Sequence, residues 1–138
     1  MAGAIPQYHT IEMIEVIAGL IDGYTEDAAS LLPDIRMAVV KPHVFDDETV
    51  NRIEAMYLET AEMQPIFEEQ LRRWCEGALT VNQRAEVSRL SRQLATLRPM
   101  VEEILTSLEQ IRPRTIDRVL AKSDLELGLD ALAGKGRR

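Results

Sequence analysis

Aromatic residues make up only 4% of this 138-residue chain, and it holds 7 glycines and 6 prolines against a hydrophobic fraction of 46%. All-β domains draw on aromatic and β-branched residues and on frequent Gly and Pro turns. Their scarcity argues against that class, and the recurrence of Leu, Glu, Ala and Arg argues for packed helices. A single cysteine, Cys75, excludes an internal disulfide and a multi-cysteine zinc site. No stretch approaches the roughly 18 uncharged apolar residues of a membrane span, and the start, MAGAIPQYHT, lacks the basic segment and apolar run of an export signal. The expected address is therefore the cytoplasm, with no membrane partner. The length suits one domain, expected over residues 1–133, with 134–138, Gly-Lys-Gly-Arg-Arg, as a disordered basic tail.

Catalytic signatures are missing too. There is no Gly-rich phosphate loop, no Gly-x-Ser-x-Gly elbow and no Glu-x-x-His of the kind a di-iron bundle needs. The two histidines, His9 and His43, stand near no nucleophile in sequence. Glu68, Glu69, Glu102 and Glu103 would offer oxygens to a hard cation only if two hairpins met, and their expected place on a helix rim favours solvated surface. Cys75 follows Trp74 and has Arg72 and Arg73 beside it, a setting that would activate an exposed thiol, but no second cysteine is present to resolve an oxidised one. The chain is thus read as non-enzymatic, without catalytic residues, cofactor or metal.

The net charge of −7 is unevenly spread. Residues 1–69 hold 14 acidic and 3 basic side chains, whereas residues 70–122 hold 6 acidic and 10 basic. Complementary helices of one fold explain this better than a nucleic-acid surface. Residues 113–133 can be drawn as a helix-turn-helix with Arg112, Arg114, Arg118 and Lys122 nearby, but Asp124, Glu126 and Asp130 would sit on its second helix and repel phosphate.

Start and stop signals divide the chain. A first amphipathic helix is expected over 8–22, with Ile11, Ile14, Ile17, Ala18 and Ile21 on one face and Gly23 past its end. Thr25 can cap a second segment that Pro33 divides and Lys41-Pro42 ends. Asp46 or Asp47 can cap a long helix to about Glu76, followed by Gly77. Thr80 and Gln83 form a capping box that opens a second long helix, to Arg112, which Pro113 closes. Two short helices follow, at about 114–121 and, after a second capping box at Ser123-Asp124-Leu125-Glu126, onward to Gly134.

The strongest pattern lies in the two long helices. Steps of three and four pick out Val50, Ile53, Tyr57, Thr60, Gln64, Phe67, Leu71 and Trp74 in the first, and Val87, Leu90, Leu94, Leu97, Val101, Ile104, Leu108 and Ile111 in the second. Folding the chain back at 77–79 sets these seams against each other, layer against layer, as an antiparallel hairpin over 47–76 and 81–112. Met56, Met63 and Met100 widen the strip on one flank together with Gln70 and Gln93, so the hairpin needs a further cover. The helix at 8–22 is the simplest cover and a second copy of the hairpin the competing one. Pro65 and Pro99 fall outside the seams, in similar surroundings 34 residues apart. The tetratricopeptide period is the same, but the aromatic and small residues of that repeat are missing, and kinked long helices are expected instead.

The sequence therefore predicts an all-α helical bundle built on a long antiparallel hairpin, with shorter N- and C-terminal helices. Its expected role is protein interaction or assembly, with another protein or a second copy of itself as partner and a homodimer as the expected form, through the adaptable methionines Met56, Met63 and Met100. An interior ligand or metal ion held near the polar seam residues Tyr57, Thr60 and Gln64 is the alternative. A weak nucleic-acid role comes third.

Overall fold

The computed structural model describes residues 7–132, and these form an all-α bundle. Its long helices are α1 (Ile14–Val40), α2 (Asp47–Cys75) and α3 (Val81–Ile111), followed by α4 (Ile116–Leu132); short 3-10 turns precede α1 and join α1 to α2 and α3 to α4. The two hairpin helices start where their caps direct. Asp46 accepts from the Thr49 N–H at 2.7 Å, and Thr80 and Gln83 exchange side-chain-to-backbone bonds in a full capping box. All sixteen residues of the two seams are buried, Thr60 and Gln64 included.

Long-range bonds set the directions of the helices. Arg98 of α3 pairs with Glu68 of α2, and farther from the connecting loop Arg112 pairs with Glu54, so α2 and α3 run antiparallel. Asp22 to Arg89 and Arg36 to Glu103 both span an offset of 67 residues, so α1 runs parallel to α3. The N-terminal segment crosses the far end of α2: Trp74 Nε1 donates to the His9 carbonyl at 2.8 Å, Gln70 brackets the His9 peptide, and the Arg73 guanidinium lies 4.1 Å from the centre of the Tyr8 ring. The bundle is up-down-up, with α3 packed closely by both neighbours and α1 standing apart from α2.

The N-terminal third departs from the sequence expectation. There is no short helix ending at Gly23 and no second one capped by Thr25; α1 is one helix of 27 residues, nearly as long as its partners. Its buried face, Ile17, Ala18, Ile21, Thr25, Ala28, Leu32, Ile35 and Ala38, keeps one phase throughout. Burial of that face outweighs the roughly 1 kcal/mol that glycine costs inside a helix and the roughly 3 kcal/mol that proline costs. Thr25 turns inward and donates to the Ile21 carbonyl at 2.8 Å, one turn back, instead of capping. Pro33 points to solvent, as do Pro65 and Pro99, and the helices continue through all three. The small residues Ala18, Ala28 and Ala38 let α1 approach α3 closely.

The C-terminal expectation is also corrected, because one helix, Ile116–Leu132, runs through Ser123 where a new start was expected. The first turn of α4 is pinned to the start of α2. Thr115 Oγ1 donates to Asp47 Oδ1 at 2.6 Å, Arg118 Nε to Asp47 Oδ2 at 3.1 Å, the Asp47 N–H to Asp117 Oδ2 at 2.8 Å, and the Ile116 N–H to the Phe45 carbonyl at 2.9 Å. With the helix start already supplied there, Ser123 has no terminus to cap. The expected tail, 134–138, lies outside the described residues.

A methyl group added at Gly23 would meet nothing within 4 Å. Gly23→Ala is therefore expected to stabilise the protein by about 1 kcal/mol, seen as a melting temperature raised by about 3–5 °C in circular dichroism. A lowered midpoint would contradict a continuous α1.

Candidate functional site

Ion pairs staple two of the three helix seams. Arg89 bridges Asp22 of α1 and Glu86 of its own helix, Arg36 makes two bonds to Glu103, Arg98 pairs with Glu68, and Arg112 reaches Asn51 and Glu54. Gln93 adds a bond to Asp22 at 3.0 Å. Thus Gln70 and Gln93, on the flank that needs a cover, both meet the N-terminal part of the chain, and the cover comes from the same chain. The carboxylates read as a potential cation cluster are spread over different pairs: Glu68 goes to Arg98, Glu69 to Arg72 and Arg73, and Glu103 to Arg36. No group of three or more His, Cys, Asp or Glu suited to a metal occurs among the described residues.

The third seam, between α1 and α2, is different. Two adjoining hollows of about 100 and 260 Å³ share Asp27, Met56 and Tyr57 and form one groove. Tyr24, Asp27, Ser30, Leu31 and Asp34 line it from α1, and Ile53, Met56, Tyr57, Glu59 and Thr60 from α2. The floor is apolar, and every charged side chain on the rim is acidic. Asp27, Asp34 and Glu59 are exposed and make no ion pair among the described residues. Like charges on both lips explain why this seam is left unstapled. The tyrosines feel them: burial raises the hydroxyl pKa of Tyr24 and Glu59 raises it further, while burial and then Asp27 do the same to Tyr57. Tyr24 also leans on Phe67, with ring centres 6.0 Å apart.

The residues singled out from sequence fall at different depths. Met56 is 51% exposed at the lip of this groove, while Met63 and Met100 are half-buried and pack against the core. Tyr57 and Thr60 are buried in the groove wall, and Thr60 Oγ1 donates back to the Met56 carbonyl. Gln64, one turn further, is 3% exposed, and its Nε2 has no hydrogen-bond partner among the described residues. The groove could not be found in the sequence while α1 was divided, because the break at Gly23 set Tyr24 apart from Asp27, Ser30 and Leu31, and the break at Pro33 set Asp34 apart from all of them. The unbroken spacing of Ile21, Thr25, Ala28, Leu32 and Ile35 is the signal that would have revealed it.

On the other side of the bundle a hollow of about 360 Å³ lies between α2 and α3, with Leu71, Leu94 and Ala95 inside it and Cys75 at its edge. Cys75 is exposed, but the neighbouring guanidiniums are occupied, Arg72 by Glu69 and Glu76 and Arg98 by Glu68. Family models, curated proteins and solved structures were compared with the chain, and none matches.

Hydrogen bonds from Arg89 lower the carboxyl pKa of Asp22, those from Thr115 and Arg118 lower that of Asp47, that from Arg36 lowers that of Glu103, and those from Arg72 and Arg73 hold Glu69 at about 2. Depressed values mean that this stabilisation is complete above the unfolded carboxylate range of about 4 and is lost as pH falls through the folded values toward about 2. The melting temperature should hold down to about pH 5 and then drop steadily toward about pH 2. Asp47→Asn should melt lower at neutral pH and lose less on acidification; equal acid slopes for the two proteins would exclude this role for Asp47. Gln64→Met removes a buried unpaired donor, and it should raise the urea midpoint, by about 1 kcal/mol or more in unfolding free energy. A fall would show that the amide is engaged in the native protein.

Proposed function

We propose that this protein is a non-enzymatic interaction module that self-associates, docking through the groove between α1 and α2 with Met56 at its lip. One observation carries the reading: of the three seams, this one has an apolar floor and an acidic rim that, among the described residues, meets no counter-charge and no ion pair across it. A groove of this kind suits a partner helix, which would bury the floor and neutralise the rim in one step. Methionine supports the choice, since its unbranched, polarisable side chain adapts to irregular partners. Met63 and Met100, half-buried against the core, line neither hollow and are not part of this surface.

A second reading, an interior ligand held near Tyr57, Thr60 and Gln64, is favoured by the unpartnered Gln64 Nε2. The native mass separates the two. Light scattering after size exclusion, with native mass spectrometry at two concentrations, should give a multiple of 15.6 kDa with no added mass. A 15.6 kDa monomer carrying a small extra mass would overturn self-association in favour of the ligand reading.

A further inference from the structure

The groove between α1 and α2 holds two kinds of unsatisfied chemistry side by side. Its carboxylates are spaced along it. Asp27 and Asp34 lie two turns apart on one face of α1, about 10 Å at the helical rise, and Glu59 of α2 joins Asp27 at the Tyr24 end. Between the two ends the floor is apolar, with Leu31, Ile53 and Met56. Tyr57 lines both hollows; it is 4% exposed, and its hydroxyl makes no hydrogen bond among the described residues. The one fully enclosed side-chain polar atom left unpaired among those residues is Gln64 Nε2, so the Tyr57 hydroxyl is not sealed in the core and opens into the groove that the residue lines. A largely buried hydroxyl whose remaining partners are water or a ligand marks a place for a hydrogen-bonding group.

We infer that this groove binds a linear aliphatic polyamine, a chain of methylene segments with protonated amines at its ends and between them. The inference goes beyond the docking proposed above and does not depend on it, since it uses only the chemistry of the groove. The alternatives fit less well. An anion is repelled by the rim, and a neutral apolar ligand would bury carboxylates without a counter-charge. A bare cation would want a full set of oxygen ligands, whereas no metal-suited group occurs among the described residues and the floor is apolar. An organic cation satisfies both surfaces, and the spacing selects a long one. An extended chain covers about 3.6 Å in three bonds, so ammoniums about nine bonds apart reach Asp34 at one end and Asp27 with Glu59 at the other. The ammoniums donate to the carboxylates, the methylenes cover Leu31, Ile53 and Met56, and the Tyr57 hydroxyl gains a partner. Tyr24 adds an aromatic ring beside Glu59 at the end that takes the terminal cation. Hollows of about 100 and 260 Å³ are small beside the pockets that hold drug-sized ligands, which suits a chain one carbon wide.

The test is isothermal titration calorimetry of the full-length protein with spermidine as the probe. One molecule per chain should bind saturably, and added salt should weaken it. Trimethylenediamine, too short to span the two ends, should bind more weakly by about tenfold or more, and octanediol, which has the length without the charges, should not bind. Asp27→Asn with Asp34→Asn should weaken spermidine by about tenfold or more, and Tyr57→Phe by about threefold, with helicity by circular dichroism as the folding control. Glu15→Gln with Glu109→Gln removes the same charge from exposed positions outside the groove and should leave the affinity nearly unchanged. An equal loss in that control, or no loss in the groove variants, would show diffuse attraction to an acidic protein and overturn the site, as would a wild-type chain with no saturable binding. Self-association is read separately from the native mass: a dimer that binds no spermidine overturns only this inference, and a monomer that binds it overturns only self-association.

Discussion

The bundle depends on α3 being buried from two sides. Its seam is apolar at every heptad position, and Leu90, Leu97, Ile104, Leu108 and Ile111 have no solvent exposure. No single neighbour covers a helix so completely. α2 takes one side in antiparallel sense and α1 the other in parallel sense, and the ion pairs at the edges, Asp22 to Arg89, Arg36 to Glu103 and Glu68 to Arg98, hold the register. Each such pair is worth little at the surface, on the order of 1 kcal/mol or less. Their effect is one of placement, because a slip of one helix past another would set carboxylate against carboxylate on an already acidic half. The uneven charge along the sequence is thereby explained: the acidic faces of α1 and α2 converge on the arginines of α3.

The same arrangement creates the groove. When two acidic helices share a basic third, the charges left over on them face each other, and that seam stays open. Asp27 and Asp34 on one lip and Glu59 on the other pair with no arginine among the described residues. The apolar floor beneath, with Ile53 and Tyr57 part of the core, is what a binding surface requires and what a lone helical domain otherwise hides.

The three long helices also solve a common backbone problem alike. Pro33, Pro65 and Pro99 each lie inside a helix with the ring toward solvent, and each is preceded four residues earlier by alanine, at Ala29, Ala61 and Ala95. The carbonyl that loses its donor is that of the alanine, whose small side chain leaves it open to water. The cost of proline is reduced on the outside while the inside face stays in phase. At the offset of 67 residues that relates α1 to α3, Pro33 falls beside the turn of Pro99.

Much of the architecture was legible in the sequence, for reasons that are local. The α2 and α3 seams repeat over four heptads, the caps at Asp46 and Thr80 are short-range chemistry, and the burial of all sixteen seam residues follows from periodicity alone. The extent of α1 was not legible in the same way. Gly23, Thr25 and Pro33 each favour a helix end by intrinsic preference, and only the surface of α3, against which Ala28, Leu32, Ile35 and Ala38 are buried, outweighs the three together. The start of α4 is likewise set by Asp47, which lies some seventy residues earlier in the chain. By itself the sequence determined the fold class, the hairpin helices and their buried faces, since these depend on spacing within one segment. Tertiary structure alone decided that α1 is a full third helix parallel to α3, and that an apolar groove with acidic lips is left between α1 and α2, because both depend on burial and charge contributed by segments distant in the chain.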